Sequence, residues 1–323
     1  MAKFTSVSYA EDPSGFLLLL QKCTFPESPS IDQFKLESGY RFQEVGASFS
    51  DLSFFVVKND VTQALVLAHK SGEFIGFNGS GAEIHTLEPH KKLIVYILDT
   101  LIDLSTHLQA QTLKIDDTCS RETLSIIGQE IFNRKGSPHT QLRAAQDLKQ
   151  DHKALHTELR QSYKALVNQG LREIDFKHID KTNLNESLFS AFKAFHQDIA
   201  GRQTRSDESW HKQFEMIEAG CAELIMGYME PHGLVSAALF TDYGTTTSYA
   251  VAVYNRDLFD KPLAHANVYE GMTRAKARGQ NIFNLGIITP YDKDKEKEYN
   301  IGKFKKGFCR ELSPFIEWSI PIA

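Results

Sequence analysis

Three short stretches of this 323-residue chain carry side chains suited to chemistry on anions or acyl groups. Residues 255–267, NRDLFDKPLAHAN, hold Arg256, Lys261 and His265 and run into a helix N-terminus. Free N–H groups and the helix dipole favour an anion there, so a cofactor phosphate or pyrophosphate would fit against Arg256 and Lys261. The same letters also describe a solvated turn in which Asp257 and Asp260 offset the cations. Residues 301–308, IGKFKKGF, place Lys303, Lys305 and Lys306 beside Phe304 and Phe308. A lysine in such a cluster can neutralise phosphate or an acyl-transfer oxyanion. The spacing equally describes an amphipathic helix with its phenylalanines inward. Residues 292–298 alternate acids and bases, which reads as a solvated loop and, beside that helix, as a lid. Residues 201–206, GRQTRS, offer Arg202 and Arg205 to an anionic substrate, while Ser206 or Asp207 caps the next helix.

Other patterns exclude activities. His152 and His156 stand four apart without an intervening Glu or a third ligand, so no metal site is expected. Gly79-Ser80-Gly81 is not a nucleophile elbow, and neither a phosphate-binding P-loop nor a dinucleotide fingerprint occurs. Asp116-Asp117 reads as a strand-end turn rather than a magnesium site. No acidic residue can be named as a general base from spacing.

The elements that must position these groups alternate between strand and helix, which predicts an α+β architecture. Residues 53–58, 64–69 and 73–77 read as short strands, then an apolar face at Leu93, Ile97, Leu101, Leu104 and Leu108 marks a helix opened by Pro89. Residues 112–116 are the next strand. A helix is expected over 144–169, with Leu148, Leu155, Leu159 and Leu166 as its stripe, either packed on a domain or serving as a coiled-coil arm or dimer face. Leu184, Leu188, Phe192, Phe195 and Ile199 mark one helix, and Trp210, Phe214 and Ile217 the next. Strands follow at 221–229, 234–240 and 247–254, a helix at 263–278 stopped by Gly279, a strand at 282–287, a short helix at 301–308 and a strand at 314–320. Each half thus repeats a meander, a crossover helix and a strand, with the N-terminal half the weaker copy.

Composition agrees. Apolar residues at 41% and charged residues at 24% describe a globular chain, and its length suggests two domains or one fold repeated. Lys plus Arg is 36 against 41 Asp plus Glu, a net charge of -5 that argues against a globally basic nucleic-acid binder. Cys23, Cys119, Cys221 and Cys309 form no CxxC pair, which suits a reducing compartment. The apolar run 16–20 is too short to span a bilayer, so neither a leader nor an anchor is expected, and a cytoplasmic location is.

Residues 265–286, HANVYEGMTRAKARGQNIFNLG, followed by IGKFKKGF, resemble the C-terminal signature of the FemAB-like or BioF2-like acyltransferases, the Fem-type transferases. The matching positions are His265, Glu270, Ala275, Lys276, Gly279, Leu285, Gly286, Phe304, Lys305 and Phe308. Upstream, LRQSYKALVN at 159–168, GRQTRS and Ser209-Trp210 also look like this group. The likeness covers roughly residues 150–320, and the order of the motifs carries it. Cys309 departs from the family's usual Gly.

The resemblance implies two tandem GNAT-like domains, each a mostly antiparallel sheet flanked by helices, expected here at 1–145 and 146–323. It implies an N-acyltransferase acting on an amine of a cell-envelope or surface-glycan precursor. The donor would be acyl-CoA, acyl carrier protein or aminoacyl-tRNA, with no tightly bound cofactor; a silent binding protein of the same fold is the rival. Family position makes Lys305, with Phe304, the expected catalytic pair. Arg202, Arg205, Trp210, His265 and Glu270 become expected substrate contacts, and Arg256, Lys261 and Lys303 donor contacts. The leucine face from Leu148 to Leu166, read as a dimer face, implies a homodimer. Only one long helix stands where tRNA-using members carry a helical hairpin.

Overall fold

Strands with nearly continuous apolar sequence, such as AELIMGYM and GLVSAALFTDY, are expected where a sheet is covered on both faces. The computed structural model, which describes residues 3–25, 27–42, 49–77, 79–118 and 123–322, places them so. The chain divides into two units: Met1–Phe34, Gly46–Gln141 and Pro314–Ala323 form the first, and Lys35–Val45 and Leu142–Ser313 the second. The expected split at 145 assigned every later residue to the second half. Residues from 314 instead join the first unit, because Phe315–Pro321 pair antiparallel with Thr112–Thr118.

In the first unit the strands Thr5–Ser8, Phe54–Lys58, Val61–Leu67 and Glu83–His85 make an antiparallel sheet. Helix Lys91–His107 buries Leu93, Ile94, Ile97, Leu98 and Leu101 in a cluster with Phe54, Val56, Ile115 and Trp318. Each such fully buried aliphatic side chain contributes about 1.5–3 kcal/mol.

In the second unit Asp175–Ile179, Ala222–Met229, Gly233–Tyr243 and Thr246–Tyr254 form an antiparallel meander. Helix Leu263–Ala277 then crosses over to Ile282–Ile288, which lies parallel to Thr246–Tyr254 and antiparallel to residues 142–147. Leu224, Met226, Ala237 and Leu239 face a core shared with helices Glu186–Ala200 and Asp207–Glu218. Ile225, Ala238 and Phe240 face the opposite core, under Leu263–Ala277 and Gln161–Glu173. Within the Leu263–Ala277 motif, Gly271 lies where a Cβ would meet the Phe240 ring at 2.2 Å, and buried Asn267 donates to the Ile225 carbonyl at 3.2 Å. Those two letters of the motif therefore serve close helix–sheet packing.

The helix expected over 144–169 is not there. Strand Ser137–Asp147 and the two helices His152–Glu158 and Gln161–Glu173 take its place. Leu159 has extended backbone, φ -57 and ψ 144, and Arg160 donates its N–H to the Gly307 carbonyl, which ends any continuous helix. Leu148, Leu155 and Leu159 are buried in the unit's own core, so the stripe offers neither a coiled-coil arm nor a dimer face. Residues 292–298 are also more ordered than a loop, since a 3-10 turn at Lys293–Lys295 leads into helix Glu296–Lys306. Cys23, Cys221 and Cys309 form no disulfide among the described residues, and Cys119 lies outside them.

Candidate active site

Two irregularities shape one end of the second sheet. Strand Thr246–Tyr254 pairs with Ile282–Ile288 through Thr246↔Ile282, Thr247↔Phe283 and Ser248↔Asn284, and the pairing ends there. Just beyond, each strand carries an extra residue: the register with Gly233–Tyr243 shifts past Ala250, and that with Ser137–Asp147 shifts past Leu285. A bulge bends its strand and increases the local twist. Gly286 accommodates the second one at φ +93, and its N–H donates to Asn284 Oδ1 at 2.8 Å. The two parallel strands part at this point.

The gap opens into a cavity of about 930 Å³. Tyr249, Ala252 and Tyr254 line it from the strand, and Arg256, Phe259 and Ala264 from the turn and helix start that follow. Glu296, Lys297, Asn300, Ile301, Phe304 and Lys305 line it from helix Glu296–Lys306. Their spacing of one and four is one face of that helix. Lys305 reaches toward the parted strands: its Nζ lies 3.0 Å from where a Cβ on Gly286 would stand. Burial pushes its amine below the ordinary lysine range.

Helix Glu296–Lys306 fully buries only Gly302, so apolar packing does little to hold it. Arg160 and Tyr163 supply the anchor. Arg160 donates its backbone N–H to the Gly307 carbonyl at 2.8 Å and its Nη2 to the Lys303 carbonyl at 2.9 Å. Its guanidinium lies 5.0 Å from the Tyr163 ring centre, and Tyr163 donates to the Phe304 carbonyl at 3.4 Å. A Cβ on Gly307 would meet the Tyr163 ring at 2.1 Å. A hydrogen bond from a charged but exposed donor contributes about 0.5–1.5 kcal/mol. The LRQSYKALVN and FKKGF motifs are thus two halves of one joint.

His265 closes that joint from below. Its ring stands 4.4 Å from Tyr163 and 5.3 Å from Phe304, centre to centre. Burial, with the Arg160 charge as a lesser cause, brings it down to about 4, so it is neutral near pH 7. His265 backs the cavity wall rather than facing the cavity.

The remaining sequence candidates separate. Arg256 is in the wall. Lys261 pairs with Asp260 at 3.5 Å, and the Lys303 amine lies 5.6 Å from the Tyr299 ring centre; neither lines the cavity. Glu270 sits 3.4 Å from His178 Nε2, beside the Glu223–Arg274 pair. Trp210 is 2% exposed and packs against Phe189, Phe192 and His196 in the core shared with helices Glu186–Ala200 and Asp207–Glu218. Arg202 and Arg205 lie on the turn between two helices that cover the other face of the sheet; Arg205, after burial, helps depress His196. Arg202, Arg205, Trp210 and Glu270 are therefore not brought to the cavity. Sequence reasoning missed Tyr249, Tyr254 and Phe259, and no spacing rule would have grouped them.

Among the described residues no cluster of His, Cys, Asp and Glu is placed to hold a metal ion, and no helix is long and apolar enough to cross a membrane. No family model matches the sequence, and no curated protein does. Solved structures do match in shape. FemX superposes with a TM-score of 0.69 at 14% identity, over 97% of this chain and 96% of that one. The C-terminal DUF2156 domain of a putative lysylphosphatidylglycerol synthetase from Agrobacterium fabrum gives 0.58 at 11%, over 97% and 92%. A tandem GNAT protein from the clavulanic acid biosynthesis pathway gives 0.51 at 12%, over 100% and 99%. The chain has the α+β fold of Fem-type, tandem GNAT-like proteins.

Proposed function

We propose that this protein is an N-acyltransferase, moving an acyl or aminoacyl group from an activated donor to an amine. The observation that carries this reading is the cavity at the parted strands with the desolvated Lys305 amine beside it. Past Ser248 the edge of strand Thr246–Tyr254 has no neighbouring strand from Ile282–Ile288. An extended donor arm bearing amides, as in acyl-CoA or acyl carrier protein, can pair with such an edge as an added strand. Helix Leu263–Ala277 begins beside the cavity at Ala264 with no side chain capping it, and Arg256 stands in the same wall. That combination suits the donor's phosphates.

In this reading the amine attacks the acyl carbon while Lys305 stabilises the oxyanion that develops, and Phe304 shapes the wall. Arg160, Tyr163 and His265 position both residues. Much of the rate comes from holding two substrates together in the gap. The acceptor we propose is an amine on a cell-envelope or surface-glycan precursor in the cytoplasm, in keeping with a Fem-type fold. Aminoacyl-tRNA is the alternative donor.

Thermal shift against CoA, acetyl-CoA, aminoacyl-tRNA and UDP-linked sugars tests the reading. A ligand at a hundredfold excess over its Kd stabilises by about 2.7 kcal/mol. A shift with CoA compounds supports a thioester donor, and a shift with charged tRNA supports the alternative. Ligand binding without turnover of any donor would replace the enzyme with a silent binding protein.

A further inference from the structure

Residues five apart on an unbroken strand face opposite sides of a sheet. Tyr249 and Tyr254 are five apart, yet both face the cavity. The extra residue at Ala250 is the cause. Ala250, Val251 and Val253 pack into the core on one side of the sheet, whereas Tyr249 and Ala252 pack into the other. The bulge therefore switches Tyr249 onto the face that Ala252 and Tyr254 already occupy. Ala252, the small residue between them, leaves room for the rings to converge, and the two hydroxyls meet at 2.7 Å. Neither hydroxyl makes another hydrogen bond among the described residues. One proton is shared between them, and the second is free to serve a bound molecule.

Stability alone does not ask for this arrangement. Phenylalanine at 249 would keep the ring contact with Phe240, 5.9 Å between centres, and would bury no hydroxyl. Bulges recur beside active sites, where they re-aim a side chain. Acyl transfer to an amine also needs a proton carrier, and Lys305 as a cation cannot accept one. Glu296 is a carboxylate in the wall, but it is exposed and lies nine residues from Lys305, about 13 Å along the helix axis.

We propose that Tyr249 and Tyr254 form a proton relay that carries the acceptor's proton to the leaving atom of the acyl donor. This rests on the acyltransferase reading. The amine lone pair forms the C–N bond, and the carbonyl π pair moves onto oxygen. Collapse of that intermediate breaks the bond to the donor's sulfur, or to the oxygen of an ester donor, which leaves with the electron pair. One phenol gives its proton to the departing atom and regains one from the other, which takes its own from the nitrogen. Nitrogen loses one proton, the leaving atom gains one, and the pair ends as it began. Burial suits both phenols to this work by keeping them protonated: Tyr249 is pushed up to about 12, and Tyr254 well above the usual range.

The test compares wild type, Tyr249→Phe, Tyr254→Phe and the double variant. Donors are acetyl-CoA, palmitoyl-CoA and alanyl-tRNA; acceptors are a panel of amino acids and amino sugars. Each single variant is expected to keep its melting temperature and KM and to lose about 10²-fold in kcat. The double variant should lose no more than the worse single one, because the hydroxyls act as a unit. Wild-type rates in mixtures of H2O and D2O should curve with deuterium fraction, and the variants' should not. Phenylalanine variants within threefold of wild type, or losses confined to KM, overturn the relay and leave the transferase intact. A wild-type protein that consumes none of the donors overturns both.

Discussion

The Lys305 amine lies 3.0 Å from the Cβ position of Gly286, close enough that a methyl group there would crowd it. The two residues come from elements far apart in sequence, and each explains the other. Gly286 permits the bulge that parts the strands, and its missing side chain lets the amine approach the gap. Gly286→Ala is therefore expected to act twice. The left-handed backbone costs about 1–3 kcal/mol, read as a lower melting temperature. The displaced amine should lower kcat toward that of Lys305→Ala, about 10²-fold or more below wild type. A Gly286→Ala enzyme with normal turnover would show that the approach is incidental.

Burial depresses the Lys305 pKa, so its proton leaves at lower pH than an ordinary lysine's. If the charged amine stabilises the oxyanion, kcat falls on the alkaline side with a midpoint below the usual lysine range. A profile flat through that range would remove the charge from the mechanism.

Arg160 holds the carboxyl end of the Lys305 helix through the Lys303 and Gly307 carbonyls. Arg160→Ala deletes the side-chain bond and keeps the backbone one. Because Arg160 is exposed, the expected loss is about 0.5–1.5 kcal/mol in urea unfolding, with kcat reduced and overall secondary structure intact by circular dichroism. Unchanged kcat would mean that Tyr163 and His265 hold the helix without it.

His265 sets a pH dependence of stability. Its folded pKa is about 4, against an ordinary value of 6.5. Between those values the unfolded chain binds a proton that the folded chain refuses, so stability rises with pH across that window and falls on acidification. His196, depressed by burial and then by Arg205, contributes in the same direction. His265→Phe should flatten the slope of denaturation midpoint against pH between 6.5 and 4, and an unaltered slope would place the titration elsewhere.

Glu223 is fully buried and accepts from Arg274 Nε at 2.6 Å and from Arg278, which also grips Asp242 at 2.9 and 3.0 Å. Removing Arg278 leaves the buried Glu223 with Arg274 and the buried Asp242 with Thr247 as partners, each carboxylate short of one charged donor. Arg278→Met is expected to destabilise by about 3–5 kcal/mol while leaving the Lys305 cavity unaltered. Chemical denaturation measures this, and a loss under 1 kcal/mol would mean that water reaches the network.

The meander, the crossover helix Leu263–Ala277 and the lysine helix were legible because apolar periodicity and glycine stops were strong there. Strand Ser137–Asp147 was not, since its residues are mostly polar and the leucines that follow it fall at helical spacing, although they reach one core from two helices and the segments that flank the first of them. Lys305, Phe304 and Arg256, which line one cavity, stood out in the sequence because charge and aromatic letters cluster in short segments. Trp210 reads in sequence equally as a contact beside arginines or as a core anchor, and its burial is visible only in the fold. The tyrosine pair was hidden by a single unpaired residue: sequence counts five positions, and no composition signal marks Ala250 as the one that breaks phase.

The pairing of Phe315–Pro321 with Thr112–Thr118 has a consequence for biosynthesis. Lys114 and Glu317, bonded at 3.1 Å across those strands, lie 203 residues apart. A ribosome adding about 5–20 residues each second needs roughly 10–40 s to cover that interval. Throughout it, strand Thr112–Thr118 has emerged with one edge open, a template for aggregation that a nascent-chain chaperone would shield.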